Sequence, residues 1–187
     1  MRPSIFLPFL VACIAYSTPH ATGQTEGPRP NEIVQSSAYI SMEPVPRGRT
    51  FEIGVVAHIR DGYHVNAHKP SLDYLIPTEV RPSLPQGITL SSAIYPEGQM
   101  LRFPFSATLL RVYEGNVVFR LRLVAEENAP LGSQEIPMQL EYQACNDHAC
   151  LPPVKIRITA HLEIAPAGAA STPMHPEVFS PSGDRSH

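Results

Sequence analysis

The sequence contains no tryptophan. The wide stacking platform that an exported adhesion or carbohydrate-binding sandwich commonly uses is therefore poorly supplied. There is no cluster of Lys and Arg, and the formal net charge is -3, so nucleic acid is not expected as a partner. Beyond the N-terminus no second hydrophobic segment and no internal repeat occurs, which argues against a membrane-embedded body or a solenoid. No long stretch carries the apolar stripe of a helix. Cysteine is scarce, at three residues, and two ligand pairs at zinc-like spacing are missing, so no metal or other cofactor is expected.

Proline, by contrast, is abundant: 21 of 187 residues. Many lie inside apolar stretches such as "LRFPF", "QEIPMQL" and "CLPPVKI", which suits irregular strands and loops rather than helices. The length fits one domain with a real core.

The N-terminus reads as an export signal. Arg2 precedes the apolar run "IFLPFLVACIAY", too short to span a bilayer, and polar residues follow. Cleavage after Ala21-Thr22-Gly23 leaves residues 1–23 as the signal and residues 24–35 as a flexible lead-in. The competing reading takes "LVAC", Leu10 to Cys13, as a lipobox that makes Cys13 a lipid anchor. Either way Cys13 leaves the thiol count, and an exported domain retains two cysteines in an oxidising compartment. The chain is expected in the periplasm or secreted, or tethered to a membrane through Cys13.

From Ser36 onward the pattern is β. Seven runs ("AYISMEP", "TFEIGVVAHI", "GITLSSAIYP", "SATLLRVYEG", "NVVFRLRLVAEE", "EIPMQLEYQA", "PVKIRITAHLEI") are rich in Val, Ile, Leu, Tyr and Phe. In "VVFRLRLV", Val118, Arg120 and Arg122 fall on one face, and Val117, Phe119, Leu121 and Leu123 on the other. Turn residues separate the runs at Pro46-Arg47-Gly48, Asp61-Gly62, Pro85-Gln86-Gly87, Glu114-Gly115-Asn116 and Pro130-Leu131-Gly132. The expectation is an all-β, immunoglobulin-like sandwich over residues 36–165 with an active-site hairpin. Residues 166–187 have few core formers and are expected to be a disordered tail.

Cys145 and Cys150, in "YQACNDHACLPPVKI", flank a four-residue connection between two of these runs. Three readings of the pair stand: structural staple, metal clip and redox centre. Closing so small a ring stabilises a fold by only about 2 kcal/mol in the chain-entropy account, which favours chemistry over stapling. Asp147 and His148 lie inside the ring, where a protonated His148 would favour a thiolate and Asp147 would oppose it. Pro152 and Pro153 stiffen the exit and remove two amide donors. His58, His64, His68 and His148 could ligate a metal together with the thiols. An exported sandwich with a purely structural disulfide, acting as a binding or copper-carrying module, is the alternative function.

The segment "YQACNDHACLPPVKI" resembles the end of the N-terminal periplasmic domain of the thiol:disulfide interchange protein DsbD. "IRDGYHVNAHKP" resembles that family's Asp-Gly-Tyr stretch, and "LIPTEVRPSLPQGI" into "IYPEG" the strands that follow. The similarity runs from about Ser36 to about Ile164. It implies an immunoglobulin-like fold and a carrier of reducing equivalents in the periplasm, cytochrome c biogenesis included. Such a carrier is fed by a thioredoxin-like protein, itself supplied by a membrane electron-transfer protein, and serves acceptor proteins.

By the same resemblance Cys150 forms the mixed disulfide and Cys145 resolves it. A cap loop, matching "GQMLRFPFSATLLRVY", lays a Phe over the sulfurs, with Phe105 the first choice and Phe103 the second; ordinary core placement is the alternative for both. His64 and Asn66 fall where the family has tyrosines, and the spacing of the cysteines is one residue shorter. No multi-span region and no Cys-x-x-Cys motif accompanies the domain, so the expectation is a free-standing or lipid-tethered carrier that depends on other proteins.

Overall fold

The computed structural model describes residues 27–180. The expected export signal, its cleavage site and Cys13 lie outside the described residues. Among the described residues there are fourteen strands. The first seven are β1 (Val34–Ile40), β2 (Met42–Glu43), β3 (Val45–Pro46), β4 (Thr50–Ile59), β5 (His64–Asn66), β6 (Glu79–Pro82) and β7 (Ile88–Ile94). The rest are β8 (Gln99–Leu101), β9 (Leu110–Tyr113), β10 (Asn116–Ala125), β11 (Gly132–Tyr142), β12 (Ala144–Cys145), β13 (Val154–Ala165) and β14 (Thr172–Pro173). A single-turn helix, α1, spans Pro176–Phe179.

Two four-stranded sheets form the body, in the orders β1-β4-β10-β7 and β3-β13-β11-β6. All neighbours are antiparallel except β3 and β13. Period-two alternation decides what lies between them. Phe51, Ile53, Val55, Ala57 and Ile59 point inward from β4, and Val117, Phe119, Leu121 and Leu123 from β10. Ile136, Met138, Leu140 and Tyr142 of β11 and Ile158, Ala160, Leu162 and Ile164 of β13 complete the same core from the other sheet. Arg120 and Arg122 stay outside, and Arg122 pairs with Glu52 across the β10–β4 ladder at 2.9 Å. The architecture is the immunoglobulin-like β-sandwich that the seven runs imply.

The turns also match the sequence. Gly115, at φ 62°, reverses the chain between β9 and β10, in the left-handed region that glycine enters at no steric cost. Gly87, at φ 76°, sits so close to the Ala129 backbone that a Cβ there would collide with it.

Both ends of the domain differ from expectation. Residues 24–35 were expected to be flexible, yet Pro30–Glu32 form a 3-10 turn, and Ile33 and Val34 are buried in the main core. The tail from 166 was expected to be disordered, yet residues 172–180 fold back over the outer face of the first sheet. Thr172 and Pro173 pair with Glu43 and Met42, and Met174 donates a 2.9 Å hydrogen bond from its N–H to the Ser41 carbonyl. Val178 is buried against Gly54. The physical reason is a notch: Gly54, between Tyr39 and Arg120 in its ladders, has no side chain, and Val178 fills the gap. Strand pairing, a backbone hydrogen bond and a single buried valine together seat the segment, which a compositional reading does not register.

Candidate functional site

A third, smaller sheet carries Cys145, and Cys150 adjoins it through an isolated bridge to Cys145. Its order is β12-β5-β9-β8, and its strands are only two to four residues long. β11 and β13 pair as far as Tyr142 and Val154. The chain then leaves that ladder, and β12 pairs with β5 so that Ala144 faces Val65 and Cys145 faces His64. Cys145 and Cys150 are disulfide-bonded with their Cα atoms 3.9 Å apart.

The connection inside the ring is a tight turn built by Asn146. Its Oδ1 accepts 2.9 Å hydrogen bonds from the N–H groups of His148 and Ala149, and its own N–H reaches the Ala149 carbonyl at 3.0 Å. Such a side-chain-to-backbone turn is what asparagine offers at the start of a reversal, and that was the available sequence signal for a residue not singled out. Gln143 was also missed. Its Nε2 donates to the Leu151 carbonyl at 3.3 Å, bracing the two sides of the ring, and its Oε1 accepts from Asn66 Nδ2 at 3.4 Å. Pro152 and Pro153 lie outside any strand, between the ring and β13.

The two sulfur-bearing residues occupy unlike environments. Cys145 is 1% exposed, while Cys150 is open to solvent. Burial penalises a thiolate and exposure permits one. The exposed residue is the one an external disulfide could reach.

His64 and Asn66 are buried side by side on one face of β5. Asn66 is held by the Ile76 carbonyl, 3.0 Å from Nδ2, and its own carbonyl accepts from Thr78 Oγ1 at 2.6 Å. His64 is 2% exposed. Burial lowers its pKa from 6.5 to about 4, against the opposing pull of the Asp147 carboxylate, so the imidazole is neutral near pH 7. Its Nε2 has no hydrogen-bond partner. Asp147 is thus close enough to bias His64, whereas His148 enters the turn through its backbone N–H.

The loop between β8 and β9 lies over this histidine. Phe103 is 6% exposed and stacks on His64 with ring centroids 3.9 Å apart. Phe105 is 43% exposed, 5.5 Å from Phe103 and 6.4 Å from His64. Phe103 belongs to a separate apolar cluster with Leu110 and Val112, against which Leu72, Leu75 and Leu101 pack. The main sandwich core contains neither ring.

The remaining histidines do not converge on the cysteines. His58 pairs with Asn116 Oδ1 at 2.9 Å, and His68 stacks on Tyr95 at 3.7 Å with Nδ1 3.1 Å from the Thr78 carbonyl. Among the described residues no group of three or more His, Cys, Asp and Glu is placed to hold a metal ion, and no helix is long and apolar enough to cross a membrane.

Residues 31–161 match the family model described as thiol:disulfide interchange protein DsbD, N-terminal. A comparison with curated proteins gives no significant match. Among solved structures, the chain is similar to the Neisseria meningitidis DsbD N-terminal domain in the reduced form, at 17% identity and TM-score 0.40. That likeness covers 72% of this chain and 90% of the other. The N-terminal periplasmic domain of ScsB from Proteus mirabilis is similar at 14% identity and TM-score 0.43, over 68% of this chain and 46% of that one. A complex between the DsbD and PilB N-terminal domains from Neisseria meningitidis is similar at 16% identity and TM-score 0.38, over 63% and 79%.

Proposed function

The chain belongs to the family of DsbD N-terminal domains, and from that premise we propose that it carries out thiol–disulfide exchange in the periplasm. It takes reducing equivalents from a thioredoxin-like donor, itself recharged by a membrane electron-transfer protein, and passes them to acceptor proteins. One observation carries the reading: the disulfide joins an exposed cysteine, Cys150, to a buried one, Cys145.

The division of labour follows from access. In the reduced protein Cys150, as thiolate, attacks a sulfur of the acceptor's disulfide. A bond forms between Cys150 and that sulfur, and the acceptor's other sulfur leaves as a thiolate. Cys145 then attacks Cys150, closing the ring and releasing the acceptor fully reduced. Two electrons have moved from the pair to the acceptor. The reverse sequence with a reduced donor reopens the ring. Cys145 is held beside Cys150 by the Asn146 turn, so ring closure is intramolecular and does not wait for an encounter.

Phe105 acts as the movable part of the cap, and Phe103 as its anchor. Phe103 is locked by its stack on His64 and by Leu110 and Val112, whereas nearly half of Phe105 faces solvent. Cys150 is already open to solvent, so what a partner gains by displacing Phe105 is room on the His64 side of the pair, where Cys145 is buried.

The test is trapping. A Cys145→Ala variant mixed with an oxidised thioredoxin-like acceptor should accumulate a covalent complex through Cys150, and Cys150→Ala should give none. Failure of Cys145→Ala to trap any partner sinks the assignment.

A further inference from the structure

We propose that His64 is the proton partner of Cys145, accepting the thiol proton at Nε2 when Cys145 closes the ring; this inference rests on the exchange reading above. Cys145 and His64 face each other across the β12–β5 ladder, and directly opposed residues of an antiparallel pair present their side chains on the same face, with Cβ atoms about 5 Å apart. Cys145 is almost wholly buried, so bulk water is poorly placed to take its proton. His64 is equally buried, yet its Nε2 is unsatisfied.

A buried, unpaired imidazole nitrogen is costly. The oxidised state explains the vacancy: a sulfur in a disulfide carries no proton to donate. Reduction gives Cys145 an S–H, and Nε2 then has a donor within its own ladder pair. The Phe103 ring, stacked on His64, fixes the plane of the imidazole and restricts its rotation. Burial is the larger influence on this histidine and keeps the ring neutral, the form that can accept a proton; the Asp147 carboxylate acts the other way and favours the imidazolium. A Cys145 thiolate beside the ring acts in the same direction, so imidazolium and thiolate stabilise each other once the proton has moved.

The step balances. In the mixed disulfide, Cys150 Sγ is bonded to the partner's sulfur and Cys145 is a thiol. The Cys145 proton passes to His64 Nε2, and the thiolate attacks Cys150 Sγ. The Cys145–Cys150 bond forms, the Cys150–partner bond breaks, and the electron pair leaves on the partner's sulfur. The imidazolium returns its proton to that leaving thiolate or to water, and the partner's disulfide is the oxidant throughout.

Glutathione tests this without any protein partner. Stopped-flow oxidation of the reduced protein by oxidised glutathione separates bimolecular attack by Cys150 from unimolecular ring closure. In His64→Phe, which keeps an aromatic ring in the stack, attack should keep its wild-type rate and ring closure should slow at least tenfold. The equilibrium with glutathione should shift about tenfold toward the disulfide, about 30 mV. Equal slowing of both steps, or wild-type closure with an unmoved equilibrium, overturns the proposal. Should the variant not fold, imidazole 15N shifts of wild-type His64 decide: Nε2 should move on reduction, and identical shifts in the two states overturn it. A wild-type protein that reacts with glutathione but with no thioredoxin-like protein would instead undo the proposed function and leave the His64 pairing standing.

Discussion

The Tyr142 hydroxyl donates a 2.8 Å hydrogen bond to the carbonyl of Pro30, 112 residues away in sequence. The bond ties the start of the domain to the last residue of β11, three positions before Cys145. Tyr142 is fully buried, and burial raises its pKa from 10.0 to about 12. Because the folded pKa is raised, this group's stabilisation is complete below pH 10. It is lost as pH rises from 10 to about 12, where the unfolded chain releases the proton first. Tyr142→Phe should cost about 1 kcal/mol at neutral pH and remove this part of the alkaline decline. Urea titrations at pH 7 and pH 11 check both points.

Reduction should leave the sandwich folded. The ring closed by Cys145 and Cys150 is small, so the bond contributes about 2 kcal/mol at most, and the core between the two main sheets does not include the cysteines. Thermal melts with and without reductant should differ by a few degrees, at about 2–4 °C per kcal/mol for a domain of roughly 150 residues. Collapse of the fold on reduction would identify a structural staple.

The two phenylalanines of the loop between β8 and β9, the proposed cap, should separate stability from access. Phe103→Ala removes a buried ring from its cluster and should cost about 3 kcal/mol. Phe105→Ala, at an exposed position, should change stability by less than about 0.5 kcal/mol while speeding oxidation of the reduced pair by a small disulfide. Denaturant melts and oxidation kinetics on both variants provide the comparison.

His64 makes the domain acid-sensitive. Its pKa falls from 6.5 to about 4 on folding, so its neutral-form stabilisation is complete above pH 6.5. That stabilisation is lost progressively as pH drops to about 4, because the unfolded chain takes up the proton more readily. The loss amounts to at most about 3 kcal/mol. His64→Phe should flatten stability over this window relative to wild type, as measured by urea unfolding at pH 7, 5.5 and 4.

The C-terminal segment should come loose when the Gly54 notch is filled. A Cβ on Gly54 would lie 2.5 Å from Val178 Cγ1. Gly54→Val should therefore open residues 172–180 to limited proteolysis several-fold faster, with the sandwich intact. Unchanged cleavage would mean that the segment is not held there.

Much of the fold is determined by the sequence alone. Two-residue alternation assigns Val117, Phe119, Leu121 and Leu123 to the core and Arg120 and Arg122 to the outside, because a strand has two faces and only one is dry. Glycines at the turns mark where the chain reverses, since few other residues tolerate positive φ. The bonded cysteines and their flanking prolines are equally legible. Only tertiary structure decides the site itself. β5 and β12 are three and two residues long, too short for any period to register, and they exist because they pair with each other and with β9. Which sulfur is covered depends on packing between segments distant in sequence, as does the stacking of Phe103 on His64. The seating of Val178 depends on a missing side chain on β4. Local pattern reports which face of a strand is apolar; what comes to rest against that face is set by the rest of the chain.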